Sequence, residues 1–232
     1  MRIITSEQKS IGNISYFVQM QGDAPISVYV IHGSKGDMLV DTGFSSTLKP
    51  LKAWLSKNNF NITDIFLTHA HPDHDWNAAV LKELYNARIW LHTNDVSLIR
   101  NFTAQSQVPT SDKFTGRVRW VSFWTKMPLF KSKAYVPDII FTGEDKDLPI
   151  SYGYDAKIVE LPGHTLGSSG LLVDGVLYAG DSYTVLNEVP QIPPHVTSIE
   201  LMNASIEKIR ALNPDFIACG HGLPFPSNEG LS

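Results

Sequence analysis

The stretch Thr68-His69-Ala70-His71-Pro72-Asp73-His74 carries three imidazoles and one carboxylate within six residues. It follows the apolar run Ile65-Phe66-Leu67, which is typical of a short strand covered on both faces. The chain would therefore deliver these side chains from a buried strand into a loop. A lone histidine is more often a hydrogen-bonded structural residue than a ligand, but four such groups at this density predict a metal site.

Composition limits the classes of protein that this chain can be. With 232 residues, 43% hydrophobic and 18% charged, it has ordinary globular composition and is long enough to bury a core as one large domain or two small ones. A net charge of -4 disfavours nucleic acid as a partner, since phosphate neutralisation needs clustered Lys and Arg. The single cysteine, Cys219, forms no intrachain disulfide and fits a reducing compartment. With no secretory h-region and no apolar run near the ~20 residues of a membrane span, we expect a cytoplasmic protein without a membrane partner.

The segments around the His-rich stretch alternate as they do in an α/β fold. Strands are predicted at residues 14–19, 26–31, 38–40, 64–68, 87–91, 157–161, 169–173, 176–179 and 216–219. Helices are predicted from Leu48 to about Asn58, from an N-cap at Asp75 through Asn86, over residues 94–102, and after a capping box of Thr197 and Glu200.

This alternation stops between Thr103 and Tyr154, in a segment where aromatic and basic residues are interleaved. A loop of this length is functional, ordered by a partner, or an irregular lid. We expect its aromatic side chains to pack on the domain's own core, on a second subunit or around a substrate. A homodimer is one of the arrangements that this insert favours. The residues concerned are Phe114, Trp120, Phe123, Trp124, Met127, Phe130 and Tyr135, with Lys113, Arg117, Arg119, Lys126, Lys131 and Lys133 between them.

Three further polar residues stand beside glycine at the ends of predicted strands, where a side chain can be projected from a sheet edge. They are His164, Asp181 and His221. Together with the His-rich stretch, they complete a set that resembles the five motifs of the metallo-beta-lactamase fold superfamily, in order. The motifs are Val40-Asp41-Thr42-Gly43, His69-Ala70-His71-Pro72-Asp73-His74, Pro162-Gly163-His164-Thr165, Ala179-Gly180-Asp181 and Gly220-His221-Gly222. The resemblance covers nearly the whole chain and is far more specific for the fold than for the substrate.

The resemblance implies one domain over residues 1–232, a four-layer αβ/βα sandwich of the α/β (α+β) class with the site on one rim. It assigns His69, His71 and His164 to a first metal ion. It assigns Asp73, His74 and His221 to a second ion, Asp181 to a bridge between them, and Asp41 to orienting a ligand. The two ligand sets imply two divalent ions. Imidazole nitrogen and carboxylate oxygen suit zinc best, and also iron or manganese.

The reaction expected of such a site is hydrolysis of an ester, thioester, lactone or related carbonyl substrate, as in the glyoxalase II-like and lactonase-like branches. A hydroxide activated by the two ions would attack the carbonyl, with Asp73 or Asp181 relaying the proton. The rival functions are a mononuclear-iron thiol or persulfide dioxygenase and a phosphodiesterase on the same fold. A non-catalytic binding protein is disfavoured because every ligand is intact.

Three residues are candidates for contact with a small-molecule substrate. Trp76 stands where many relatives carry small residues, and we expect it to narrow one side of the site. Tyr183 either donates to a developing oxyanion or packs under a loop. His195, beside Pro193-Pro194, either faces the substrate entrance or is an exposed loop residue.

Overall fold

Two β-sheets pack face to face in the computed structural model, which describes residues 2–20, 25–125 and 132–230. The first sheet has seven strands lying side by side in chain order. They are β1 (Arg2–Thr5), β2 (Ser15–Met20), β3 (Ile26–His32), β4 (Asp37–Val40), β5 (Ile62–Phe66), β6 (Arg88–His92) and β7 (Ile139–Phe141). Strands β1 to β4 form an antiparallel meander, and β4 to β7 run parallel.

The second sheet has five strands in the spatial order β12-β11-β10-β9-β8. They are β8 (Lys157–Glu160), β9 (Ser169–Val173), β10 (Val176–Gly180), β11 (Phe216–Cys219) and β12 (Phe225–Pro226). Only β10 and β11 are parallel neighbours. Two small antiparallel pairs lie outside the sheets, Thr184–Leu186 with Val189–Gln191 and Val108–Pro109 with His195–Val196.

The helices are α1 (Leu48–Lys57), α2 (Pro72–Asp75), α3 (Ala78–Tyr85), α4 (Thr115–Thr125), α5 (Leu148–Ser151), α6 (Ile199–Leu212) and α7 (Ser227–Gly230), with 3-10 turns at Ser45–Thr47, Thr93–Leu98, Asp112–Phe114 and Gly143–Asp145. Helices α1 and α3 pack on the outer face of the first sheet, and α6 packs on the outer face of the second. In the part of the chain that the structure describes, no helix is long and apolar enough to cross a bilayer.

The main core lies between the sheets. Phe66 and Trp90 from the first sheet pack in one buried cluster with Leu171 and Tyr178 from the second. Ile65, the neighbour of Phe66, faces the opposite way into the layer beneath α1 and α3. A strand buried on both faces has no polar side to present, which is why this segment reads as a continuous apolar run. The predicted αβ/βα sandwich is confirmed.

A buried carboxylate secures the end of β5 that lies away from the His-rich loop. Asp64 is fully buried and accepts two 2.8 Å hydrogen bonds from Arg88, one from Trp90 Nε1 at 2.8 Å and one from Tyr154 Oη at 2.7 Å. Burial alone would raise the pKa of Asp64, but the hydrogen bonds from Arg88, Tyr154 and Trp90 hold it below the usual carboxyl value. The first sheet and the turn before β8 are thereby joined.

The helix predicted from Asp75 to Asn86 is in fact two helices, and its predicted N-cap is wrong. Asp75 ends α2 as a fully buried residue, and its Oδ2 accepts a 2.9 Å hydrogen bond from Tyr135 Oη. The break before α3 falls at Asn77, whose amide donates to the carbonyls of Thr42 and Gly43. The chain therefore turns between α2 and α3, and the regular helix begins only at Ala78.

Two other helix predictions are corrected for a similar reason. The cap of α6 is Ser198, whose hydroxyl accepts from Leu201 N at 3.2 Å, because the Thr197 hydroxyl already accepts from Gln107 Nε2 at 2.8 Å and donates to the carbonyl of His164 at 3.1 Å. The helix predicted over residues 94–102 is the short 3-10 segment Thr93–Leu98.

The segment from Thr103 to Tyr154 is less irregular than its sequence predicts. It contains α4 and β7, and β7 extends the first sheet beside β6. Tyr135 is buried, while Trp120 and Phe123 on α4 are 64% and 62% exposed. A three-residue strand and a helix rich in aromatic and β-branched residues give no recognisable period. Lys126, Met127, Phe130, Lys131 and the side chain of Trp124 lie outside the described residues.

Candidate metal centre

The seven predicted ligands converge where the two sheets meet at one rim. Each is delivered by the end of a strand or by the segment that follows it. His69 and His71 follow β5, Asp73 and His74 lie in α2, His164 follows β8, Asp181 follows β10 and His221 follows β11. The carboxyl ends of the parallel strands β10 and β11 share this edge with the end of β5, so residues up to 152 positions apart in sequence become neighbours.

Three groups of ligand atoms form at this rim, each with all of its atoms within 4.8 Å of one another. The first contains His69, His71 and His164, and the second contains Asp73, His74 and His221. These are the residues that the sequence assigned to the first and second ion. The third group joins His69, His74 and Asp181, so the Asp181 carboxylate lies between the other two.

The contacts of Asp181 have the length expected of two ligands that share one ion. Its Oδ1 lies 3.3 Å from His74 Nε2, and its Oδ2 lies 3.4 Å from His164 Nε2 and 3.2 Å from His221 Nε2. A tetrahedral ion with bonds of about 2.0–2.1 Å separates its ligand atoms by about 3.3–3.4 Å. Typical hydrogen bonds of this kind are shorter, near 2.7–2.9 Å. The residues present therefore fit a pair of divalent cations.

Four of the histidines are held by the protein through one ring nitrogen, and each points its other nitrogen at the centre. Holding the outer nitrogen of a ligand fixes the orientation of the ring and is typical of metal-binding histidines. The contacts are His69 Nδ1 with Thr68 Oγ1 at 3.1 Å, His74 Nδ1 with Asp41 Oδ2 at 2.8 Å, His164 Nδ1 with the His195 carbonyl at 2.9 Å, and His221 Nδ1 with the Pro25 carbonyl at 2.7 Å.

The inward atoms are buried and form no hydrogen bond that meets the usual geometry with a described residue. They include Nε2 of His69, Nε2 of His74 and Oδ1 of Asp181. Leaving a buried polar atom unsatisfied costs roughly 1–3 kcal/mol, so three of them in one place need an explanation. A bound cation satisfies all three.

Asp41 lies behind His74 and does not face the centre. Its carboxylate accepts from Thr68 N at 2.8 Å and from Thr68 Oγ1 at 2.8 Å, and it contacts His74 Nδ1. The backbone of Asp41 is left-handed, with φ at 61°, an uncommon conformation for a residue other than glycine. The strand end thus turns sharply to aim this carboxylate at the back of a ligand.

The electrostatics of three ligands, His69, His71 and Asp181, suit a cation. Burial and the neighbouring His74 hold the pKa of His69 well below its usual value, and burial and His164 do the same for His71. Both rings are therefore neutral, with a lone pair available. Burial would raise the pKa of Asp181, but His221, His74 and His164 hold it well below the usual carboxyl value. Asp181 is therefore ionised.

One residue that holds the site together was missed by the sequence analysis. Asp95 is fully buried and joins both ligand loops to the segment that follows β6. Its carboxylate accepts from Thr165 Oγ1 at 2.7 Å, Gly167 N at 2.8 Å, Gln105 Nε2 at 3.2 Å and Ala70 N at 3.3 Å. Ala70 lies between two ligands and Thr165 follows a third, so Asp95 sets their spacing. An isolated Asp in a helical pattern carries no signal of this role.

Replacing Asp95 with asparagine is expected to lower zinc affinity about 10- to 100-fold, the range typical of groups that orient ligands. The amide loses one acceptor for Thr165 or Gly167 and presents a donor in its place. Competition with a chromogenic chelator measures the affinity, and Asp112→Asn, on the exposed 3-10 turn Asp112–Phe114, is the matched control. Unchanged zinc affinity in Asp95→Asn would show that the loops keep their spacing without this carboxylate.

A cleft of about 630 Å³ opens onto the metal centre and reaches His71, Asp73, His164, Asp181 and His221. One wall is formed by residues 102–107 and by Pro193, Pro194 and His195. The His195 ring lies 5.1 Å from the ring of His164, between centroids. Burial and the neighbouring His164 lower the pKa of His195 to about 4, so the ring is neutral near pH 7.

The other two candidates for substrate contact lie away from the cleft lining. Tyr183 is 2% exposed and packs beneath α6 with Phe225, at 6.0 Å between ring centroids. This packing corrects the alternative in which Tyr183 faces the substrate. Trp76 packs against Phe44 at 4.6 Å between centroids, and it is Phe44 that lines the cleft. Trp76 therefore supports the cleft wall through Phe44 and is not itself part of the lining.

Cys219 is fully buried in β11, and burial raises the pKa of its thiol to about 12, which excludes a thiolate nucleophile. His32 and His92, which carry no motif, pair with Asp37 and Glu160 at 2.8 Å.

The model of the Metallo-beta-lactamase superfamily matches residues 22–221. A probable metallo-hydrolase of Methanocaldococcus jannaschii is 28% identical over 199 residues, covering 84% of this chain and 86% of that protein. A hydroxyacylglutathione hydrolase of Rhodopseudomonas palustris is 27% identical over 175 residues, covering 74% of this chain and about half, 53%, of that protein.

Solved structures show the same fold at lower sequence identity. The BLEG-1 B3 metallo-beta-lactamase has a TM-score of 0.65 and 21% identity, covering 92% of this chain and 95% of that one. The protein TTHA1623, solved in a di-iron-bound form, has a TM-score of 0.63 and 20% identity, covering 93% and 96%. At this identity the likeness shows the fold alone.

Proposed function

The chain belongs to the metallo-beta-lactamase superfamily and is a metallohydrolase, and on that premise we propose that it hydrolyses an ester, thioester or lactone at two divalent ions. The observation that carries the proposal is the position of Asp181. Its two oxygens lie 3.2–3.4 Å from ligand nitrogens of both histidine sets. A carboxylate placed between two otherwise complete ligand sets is what a shared pair of ions requires.

The donor set favours zinc, with iron or manganese as the alternatives. Imidazole nitrogen and carboxylate oxygen are ligands for all three metals, and the described site offers no thiolate to select among them. The likeness to TTHA1623, solved with two irons, keeps iron among the candidates. Two divalent ions in these sets would supply an activated water and polarise the carbonyl oxygen of the substrate.

The two carboxylates at the centre differ in exposure, and this difference divides their roles. The side chain of Asp181 is 6% exposed and is held ionised between three histidines. The side chain of Asp73 is 40% exposed, lines the cleft, and lies 3.4 Å from His221 Nε2. We assign the anchoring role to Asp181 and proton transfer to Asp73, since only Asp73 can both reach the cleft and exchange with water.

His195 is positioned to donate a hydrogen bond to the substrate from the cleft wall. Its ring is neutral, and its buried Nδ1 has no partner among the described residues. His195→Ala is expected to lower kcat by roughly 100- to 1,000-fold, the order found for loss of one preorganised donor. Metal content should not change, because His164 is held by the backbone carbonyl of residue 195, which every variant retains.

Steady-state kinetics and metal analysis of His195→Ala and His195→Gln separate these effects. Glutamine keeps a donor, so we expect partial recovery of kcat. Loss of metal in both variants would show that the ring supports the site and does not act on the substrate.

The substrate class is tested with a panel of a thioester, a lactone, a chromogenic cephalosporin and a phosphodiester, each with protein loaded with Zn, Mn or Fe. The relative named hydroxyacylglutathione hydrolase favours the thioester, since an acylglutathione is a thioester. We expect hydrolysis of at least one carbonyl substrate. Turnover of the phosphodiester alone would overturn the proposal. Oxygen uptake on a persulfide, in iron-loaded protein without hydrolysis, would establish the dioxygenase in its place.

A further inference from the structure

The lining of the cleft carries one charged side chain that does not belong to the ligand sets. Arg117 lies in the first turn of α4 and lines the cleft. Among the described lining residues it is the only lysine or arginine, and the carboxylates of that lining, Asp73 and Asp181, both belong to the ligand sets. Arg117 forms no ion pair within the described part of the chain.

The cleft that Arg117 lines also presents apolar side chains. Val118, Phe102, Pro193 and Leu186 line the same cleft. Apolar side chains in the lining favour the aliphatic or aromatic body of a ligand. Arg117 also acts on His195 in the same lining, since after burial and His164 it is one of the smaller influences that lower the pKa of His195.

From this placement we propose that the substrate is an acyl compound whose apolar body ends in a carboxylate, and that Arg117 binds this carboxylate while the scissile carbonyl lies at the metal centre. A guanidinium presents a planar pair of donors that matches a carboxylate, and it stays charged at every physiological pH. The proposal rests on the proposed hydrolase function for the position of the carbonyl, but the contact with Arg117 is a separate binding event.

The test uses two S-phenyl thioesters of the same aliphatic chain, one ending in a carboxylate and the other in the isosteric carboxamide. The zinc-loaded wild type, Arg117→Gln and Arg119→Gln are compared by kcat/KM. Arg119 is an exposed residue of the same helix that does not line the cleft, which makes it the matched control. We expect the wild type and Arg119→Gln to prefer the carboxylate about fivefold, and Arg117→Gln to lose the preference through KM.

A binding measurement keeps this inference distinguishable from the proposed function. Calorimetry with the two corresponding acid products, the dicarboxylate and its monoamide, reports the same contact without turnover. If neither thioester is hydrolysed but Arg117→Gln selectively weakens the dicarboxylate, the inference stands and the thioester hydrolase fails. If hydrolysis proceeds with no preference for the charged chain, or with a preference that Arg117→Gln keeps, the inference is overturned and the hydrolase stands.

Discussion

Asp181→Ala is expected to empty both ligand sets and to reduce turnover by roughly 1,000-fold or more, since it removes the one group that contacts both. Oδ1 of Asp181 faces His74, and Oδ2 faces His164 and His221. Without the carboxylate, five imidazoles and Asp73 remain to balance two divalent charges. Mutual repulsion of the cations then lowers the occupancy of the second ion first.

The measurement is metal content per chain after dialysis, together with kcat/KM and a circular-dichroism check of the fold. Asp155→Ala, at an exposed loop position, is the matched control and should retain metal and activity. An Asp181→Ala protein with full metal occupancy and normal turnover would contradict the assignment of this residue as the bridge.

Gly220→Ala is expected to disable the centre while leaving every ligand in the sequence intact. A Cβ at residue 220 would lie 2.4 Å from Asp181 Oδ1 and 2.4 Å from His74 Cε1, far inside van der Waals contact. The backbone cannot withdraw, because Gly220 N donates to the Gly180 carbonyl and Ser27 N donates to the Gly220 carbonyl, both at 2.9 Å. The ligands must move instead, so we expect about 100-fold weaker metal binding or more.

Gly116→Ala is the control for this substitution, since a Cβ there meets nothing within 4 Å and residue 116 lies in a helix. It should leave metal binding unchanged and should be neutral or slightly stabilising. Chelator competition and thermal unfolding of the metal-free protein separate loss of the site from loss of the fold. Wild-type metal affinity in Gly220→Ala would mean that the strand ends are less closely packed than the structure has them.

The strands that local sequence patterns predicted correctly are encoded by adjacent residues. The run Ile65-Phe66-Leu67 predicts a strand because all three residues are apolar, as expected of a strand that is buried on both faces. The His-rich loop follows it directly. The strands β9 and β11 were likewise predicted with the bounds that the structure has. In each case a local pattern of apolar residues decides the structure, so a single window of sequence contains the information.

The features that were missed depend on partners distant in the chain. Asp75 looks like a helix cap until Tyr135, sixty residues away, donates a hydrogen bond to it. Thr197 looks like the cap of the last long helix until Gln107 Nε2 donates to its hydroxyl and the carbonyl of His164 accepts from it. Asp95 gives no local sign that it joins two ligand loops. Each capping prediction assigned the side chain a hydrogen bond within its own helix. In the structure the side chain forms hydrogen bonds with residues distant in the chain instead.

The two-residue pairing of Val108–Pro109 with His195–Val196 links the wall of the cleft to the metal centre. Residue 195 contributes its ring to the wall and its carbonyl to His164, and Thr110 secures the preceding turn through the carbonyls of Pro193 and Pro194. A protein engineer who grafts the wall of a relative onto this chain must therefore transplant both segments together. A natural change of substrate specificity through this wall would likewise need coordinated substitutions in both segments of the chain.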